Sequence, residues 1–216
     1  MELGLKSKVA LVAASSRGLG KAVATALARE GALTAITARG ETALQATAAE
    51  IRRLTGNSVL AVPADLSVAA QVDALMERVL QEFGHVDILV NNAGGPRAGG
   101  FMDMSDEDWM HAENLNLMSA IRIIRHVLPG MQARHWGRII NITSMSVKQP
   151  LPNLILSNAV RAGVAGMAKS LANEVAADGI TVNNVCPGYT LTDRVYQLAA
   201  ANASTEQTSA DAVMAR

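Results

Sequence analysis

Near the amino terminus, Ala13-Ala14-Ser15-Ser16-Arg17-Gly18-Leu19-Gly20 follows a short apolar run and precedes apolar residues at helical spacing, Leu19, Val23 and Leu27. Glycines placed where a chain turns from strand into helix leave bare amides at the helix N-terminus, and these can hold a dinucleotide's pyrophosphate. Any such turn favours glycine, so the cradle reading takes its weight from its surroundings. Elsewhere reactive side chains form no constellation. Cys186 stands beside Pro187 with no base marked next to it, and reads as a small buried side chain. His85, His111, His126 and His135 share no spacing with carboxylates and read as surface or helix-face residues.

A phosphate cradle needs a strand before it and a helix after it, and that alternation repeats along the chain. Lys8–Ala14 leads into the glycine turn and the first helix. Leu33–Thr37 precedes a helix over Glu41–Leu54, Ser58–Val62 precedes Val68–Phe83, and Val86–Asn91 precedes a long helix from about Ser105. Arg138–Thr143 precedes Asn158–Ala177, and Ile180–Val185 is the last β run. These runs are apolar on both faces, as in a parallel sheet covered by helices on each side. The expected fold is therefore an α/β doubly wound parallel sheet of six strands, with a ligand crevice at the strands' carboxyl ends.

Local punctuation supports these limits. Ser105 followed by Asp106, Glu107 and Asp108 reads as an N-cap with acids in the first helical turn, where the helix dipole favours them. Gly31 and Gly56 close the first two helices. Asn114 and Asn116 are poor helix formers, and Pro129-Gly130 is expected to kink or interrupt the long helix. After Arg194 the chain turns to Ala, Ser, Thr and Gln without an apolar stripe. Residues 1–194 are thus read as one dinucleotide-binding domain with its catalytic region, and 195–216 as a loosely structured tail.

Composition narrows the function classes. The 216 residues carry 19 basic and 19 acidic side chains, half of the residues are apolar, and there is one cysteine. A chain this long buries roughly 70% of the surface its unfolded form exposes, so it needs neither disulfides nor a structural metal. Balanced, scattered charge offers no basic stripe for nucleic acid. No apolar run approaches the roughly 20 residues that span a bilayer, and the first residues lack a signal peptide's apolar stretch, so a cytoplasmic protein without membrane partners is expected.

Several spaced motifs resemble the short-chain dehydrogenase/reductase family. They are the glycine turn, Asp65 in Ala-Asp-Leu, Asn91-Asn92-Ala93-Gly94, Asn116, Ser144, and Pro187-Gly188 followed by Thr192. The resemblance runs from about residue 5 to 194, and is strongest to 3-oxoacyl-carrier-protein reductases and small-alcohol dehydrogenases. Ala13-Ala14 stand where the family has Thr-Gly. The resemblance implies a Rossmann fold and hydride exchange between a nicotinamide cofactor and a carbonyl or alcohol substrate, in a homo-oligomer. It also implies a cofactor site made of Ala14, Ser16, Arg17, Gly18, Leu19 and Gly20 around the pyrophosphate, with Asp65 and Leu66 at the adenine. Asn92, Ala93 and Gly94 would line the adenosine side, and Pro187, Gly188 and Thr192 the far side. Within it, charge selects the cofactor. An acid after the second strand would grip a ribose diol, whereas Thr37-Ala38-Arg39 stands there with Arg17 in the glycine turn, and two cations suit the 2′-phosphate of NADP(H) better than NAD(H).

The catalytic pattern departs from the family. Ser144 fits the serine that hydrogen-bonds the substrate oxygen, and Asn116 the asparagine that supports a proton-relay water. Where Tyr-x-x-x-Lys is expected, the chain reads Ser157-Asn158-Ala159-Val160-Arg161. A phenol can be tuned to give up a proton near neutrality, whereas an alkyl hydroxyl titrates several units higher. The serine oxygen also falls short of a tyrosine hydroxyl by roughly 4 Å. Arg161 retains charge and a fork of donors for ribose hydroxyls but cannot relay a proton. Tyr189 or a bound water is left as the replacement acid. Two readings follow: an atypical NADP(H)-dependent oxidoreductase, or an NADP(H)-binding module with lost or weak catalysis that acts as a sensor or partner subunit. The family's usual last helix and strand are not evident after Arg194, so an exposed sheet edge is also expected.

Overall fold

The computed structural model describes residues 2–193, 195–196, 199–200, 203 and 208–214. Six parallel strands form its sheet: β1 (Val9–Val12), β2 (Leu33–Ala38), β3 (Val59–Pro63), β4 (Ile88–Asn91), β5 (Gly137–Ile142) and β6 (Ile180–Val185). Their order is β3-β2-β1-β4-β5-β6. The chain therefore builds outward from β1 on one side, then crosses back to start β4 on the other. The point where that order reverses, between β1 and β4, opens a crevice at the strands' carboxyl ends. The expected α/β doubly wound sheet is present.

Helices α1 (Gly18–Arg29) and α2 (Glu41–Thr55) cover one face, where Ala24, Ala28, Leu44, Ala48 and Ile51 pack on Ala10, Val12, Ile36 and Ile88. Helices α3 (Ala69–Phe83), α5 (Ser119–Ala133) and α6 (Ile155–Val175) cover the other, with Leu75, Met76, Ile123, Met131 and Ala168 against Leu11, Leu89 and Ile139. Leu11 and Leu89 are fully buried, consistent with strands that are apolar on both faces. Burial of each such side chain stabilises the fold by about 1.5–3 kcal/mol.

The sequence signals for helix ends operate as expected. In α4 (Asp106–Glu113), Ser105 Oγ accepts from the Asp108 amide at 3.3 Å while Asp108 Oδ2 accepts from the Ser105 amide at 3.2 Å, a reciprocal cap. Gly56 and Gly84 close α2 and α3 in the left-handed region, at φ 71° and 76°.

The expected break at Pro129-Gly130 does not occur. Helix α5 runs through both residues to Ala133, carrying Val127 and Met131 into the core. That burial offsets the one main-chain hydrogen bond proline forfeits near the helix end. The irregularity lies earlier, in a π-helical turn over Asn114–Met118 that joins α4 to α5. Asn114 Nδ2 donates to the Met110 carbonyl, Asn116 Nδ2 to Ala112 and Ser119 Oγ to Leu115, at 3.0, 3.2 and 2.6 Å. Side chains that bond carbonyls four residues back compete with the helical ladder and loosen it.

Two units are distinguished, Met1–Cys186 and Pro187–Arg216. In the second, the Thr192 carbonyl accepts from the amides of Val195 and Tyr196, and α7 spans Ala210–Met214. The expected loosely structured tail falls partly outside the described residues, as does Arg194, the expected domain limit. Among the described residues no helix is long and apolar enough to cross a membrane.

Candidate active site

The glycine turn is built by ties to neighbouring strands. Ser15 is buried; its amide donates to the Thr37 carbonyl at 2.9 Å, and its hydroxyl donates to Val12 O at 2.8 Å. Ser16 presents its carbonyl to Thr47 Oγ1 at 2.9 Å. From across the β1/β4 switch point Asn92 Nδ2 donates to Ala13 O and Ala14 O, at 3.3 and 3.2 Å. Arg17 is the extended residue before α1, and Gly18, at φ 56°, opens the helix.

Gly20 is required by contact rather than by conformation. A Cβ there would overlap the Ala14 carbonyl oxygen and lie 2.9 Å from Asn92 Nδ2 and from Ser15 Cα. The missing side chain lets the first turn of α1 pack against the turn that precedes it. Arg17 and Gly18 remain exposed at this N-terminus while Leu19 is half-buried. Bare amides at a helix start, approached through small residues, suit a pyrophosphate. Ala14 has left-handed backbone, φ 46°, a conformation that disfavours any residue with a Cβ. It is the residue standing in place of the glycine in the resembled motif.

At the ends of β2 and β3 lie the groups suited to an adenosine. Arg39 is exposed directly after β2. Asp65 Oδ1 accepts from the amide and hydroxyl of Ser67, at 2.9 and 2.7 Å. Partial burial works to raise the Asp65 pKa, but the Ser67 hydrogen bonds and the charges of Arg39 and His111 together hold it below the ordinary carboxylate value. Leu66 is buried beside it. Ala93 and Gly94 follow Asn92 in the loop after β4, both half-buried or exposed.

A cavity of about 20 Å³ lies beneath the crevice, lined by Asn91, Asn116, Asn141, Thr143 and Arg161 among others. That is room for about one water. Asn91, Asn141 and Asn184 occupy one register across β4, β5 and β6, and form an amide ladder: Asn91 Nδ2 donates to Asn141 Oδ1 at 2.9 Å, and Asn141 Nδ2 to Asn184 Oδ1 at 3.1 Å. The Oδ1 atoms of Asn91 and Asn116 are buried without a hydrogen-bond partner. Both asparagines line the cavity, and a buried acceptor without a partner is the kind of group a bound water satisfies.

Ser144 ends β5's extension, and its Oγ accepts from the Ser146 amide at 3.1 Å. The Ser144 hydroxyl proton is left available to a substrate oxygen. Ser157 and Arg161 are buried, one turn apart on α6. The sequence assigns the Arg161 fork to ribose hydroxyls. In the structure its Nε donates to Ser157 Oγ at 3.2 Å, and NH1 donates to the Ile142 and Thr143 carbonyls at 3.1 and 3.0 Å. NH2 donates to the Ala93 carbonyl at 3.5 Å.

Pro187, Gly188, Tyr189 and Thr192 belong to the second unit, where Tyr189 is exposed. Cys186 is a free, half-buried thiol whose Sγ lies 3.3 Å from Thr143 Oγ1. Two histidines do pair with acids, His85 with Asp87 at 3.1 Å and His126 with Asp73 at 2.9 Å, both remote from the crevice in sequence and fold. The His126 pairing depends on helix packing that sequence spacing does not display, whereas His85 and Asp87 stand two residues apart and their spacing was overlooked. The Asn91-Asn141-Asn184 ladder also went unread; its signal was an asparagine at the corresponding place in three β runs. Among the described residues no cluster of acids, histidines or cysteine could hold a metal.

Comparison with known proteins gives the same picture. A family model described as short chain dehydrogenase matches residues 8–203. A 3-oxoacyl-acyl-carrier-protein reductase FabG from Vibrio cholerae is 41% identical over 88% of this chain and 77% of its own length. An uncharacterized oxidoreductase YvrD from Bacillus subtilis is 37% identical over 96% of this chain and 79% of its own. L-sorbose reductase from Gluconobacter frateurii, solved with NADPH and L-sorbose, superposes with a TM-score of 0.90 at 37% identity, over 94% of this chain and 78% of that one.

Proposed function

The chain belongs to the short chain dehydrogenase family, and on that premise we propose that it binds NADP(H) and interconverts a carbonyl and an alcohol by hydride transfer. The observation that carries the reading is the turn at the β1/β4 switch point, where the absence of a Cβ at Gly20 lets α1 start tight against Ala14, Ser15 and Asn92 with Arg17 and Gly18 exposed at the helix start, the place a dinucleotide's pyrophosphate would take. Arg39 after β2, with Arg17 beside the cradle, supplies positive charge for a 2′-phosphate.

The bound nicotinamide would supply or accept the hydride. The protein's part is placement and proton handling. Ser144 donates its hydroxyl hydrogen to the substrate oxygen and polarises the carbonyl; its other lone pair is held by the Ser146 amide, which fixes the rotamer. Asn116, with Asn91, holds a water in the cavity beneath. Ser157 is a much weaker acid than a phenol, so the replacement acid is Tyr189 or a bound water with a hydrogen not committed to Asn91 and Asn116. Positioning and electrostatics then account for the rate that remains.

A single-turnover experiment tests this reading, with protein in excess over NADPH and a panel of ketones, aldehydes and a 3-oxoacyl thioester. A cofactor fluorescence signal that decays only when a carbonyl is added supports it. A stable signal favours the binding module instead, and no signal sinks both. The proposal extends to a cytoplasmic homo-oligomer, and light scattering on the purified protein tests its oligomeric part.

A further inference from the structure

We infer that Arg161 is a strut between strand ends rather than a cofactor ligand, and that the protein consequently draws its NADP(H) affinity from the adenosine bisphosphate half alone. The inference rests on the NADP(H) reading above. It starts from where the guanidinium spends its donors. Arg161 is 9% exposed. Its fork reaches the Ile142 and Thr143 carbonyls at the end of β5, the Ala93 carbonyl after β4, and Ser157 on its own helix. These bonds engage at least four of the five N–H groups an arginine has.

The geometry explains why arginine suits this place. The carbonyls of Ile142, Thr143 and Ala93 belong to two chain segments, and a wide planar fork with five donors reaches them together with Ser157 Oγ, where an ammonium offers three donors from a single atom. Stripping the fork from these carbonyls to serve a ribose would cost the bonds to the buried Thr143 and the half-buried Ile142 and Ala93, which two exposed hydroxyls do not offset. Arg161 therefore fixes the mutual position of Ala93, Thr143 and Ser157, and so of Ser144 next in the chain. Arg39, exposed directly after β2, lies on the cradle side with Asp65. The pyrophosphate, adenine and 2′-phosphate subsites are provided for, whereas the nicotinamide ribose receives no cation from α6.

The test is isothermal titration of the intact wild-type chain with three probes: NADPH, adenosine 2′,5′-bisphosphate and reduced nicotinamide mononucleotide. The expected result is a bisphosphate Kd within about tenfold of that for NADPH, and no saturable binding of the mononucleotide. An NADPH advantage above about tenfold, or saturable mononucleotide binding, overturns the inference and leaves the cofactor reading standing. Failure of both NADPH and the bisphosphate to bind overturns the two together. Arg161→Lys supplies the complementary readout. Its thermal midpoint falls while its bisphosphate Kd stays at the wild-type value; an unchanged midpoint contradicts the strut, and a bisphosphate Kd that weakens with the midpoint places Arg161 among the cofactor's own ligands.

Discussion

Arg161 Nε donates a hydrogen bond to Ser157 Oγ across one turn of α6, at 3.2 Å. The two residues that stand where the family resemblance places Tyr and Lys are thus bonded to each other. Ser157→Tyr combined with Arg161→Lys is expected to raise carbonyl-dependent NADPH oxidation by about 10²–10⁴, the worth of a positioned general acid. Ser157→Tyr alone gains less, because Arg161 cannot relay the proton. Steady-state absorbance of NADPH reads the outcome. A folded double variant no faster than wild type places the proton donor elsewhere, with Tyr189 the next position to substitute.

The glycine turn yields two opposite expectations. Ala14 sits at φ 46°, so Ala14→Gly removes backbone strain and raises stability by about 1 kcal/mol, or roughly 2–4 °C in Tm for a chain of this size. Gly20→Ala drives a Cβ into the Ala14 carbonyl and lowers stability by about 1–3 kcal/mol, with weakened NADPH binding. Thermal melts of the two variants decide it, and a stabilised Gly20→Ala contradicts the close approach.

Arg39 follows β2 on the exposed crevice rim. Arg39→Ala is expected to weaken NADPH by about tenfold and leave NADH nearly unchanged, since only the former carries the 2′-phosphate. Fluorescence titration with both cofactors checks the ratio. Equal losses for the two would assign Arg39 no part in selecting between them.

Asp65 links stability to pH. Burial opposes its charge, yet the Ser67 hydrogen bonds and the Arg39 and His111 charges hold its pKa below the ordinary value. A carboxyl lowered in the folded state stabilises above its unfolded pKa, about 3.9, and that contribution is lost as pH falls through the folded value. Asp65→Asn therefore costs stability near neutrality and progressively less as pH falls from the unfolded pKa through the folded one, narrowing the gap in Tm between neutral and acid conditions. A parallel shift of both midpoints would show that Ser67 and Arg39 do not act through the charge.

All six strands were legible in the sequence, because each is a short apolar run between turn residues and the parallel pattern repeats. Helix ends at Ser105 and Gly56 were legible for the same local reason, as capping acts within a few residues. Pro129 misled, since the core contacts of Val127 and Met131 that carry α5 past it are long-range. The Asn114–Met118 π-turn was visible only as poor helix formers; its cause is three side chains bonding carbonyls behind them. At the site, the Ser157 and Arg161 substitutions could be read directly. Where the Arg161 fork points could not, because it depends on the register that brings Ala93 and Thr143 together at the ends of β4 and β5.

Hydride transfer between a nicotinamide and a carbonyl carbon carries a label from one to the other, and deuterium tracing follows it. Purified protein is given NADPH deuterated at the transferable nicotinamide position, together with the carbonyl panel, and the alcohols are examined by mass spectrometry. The expected product is an alcohol bearing one deuterium on the former carbonyl carbon, with a matching amount of NADP⁺. Tight NADPH binding with no deuterated alcohol from any carbonyl would contradict it.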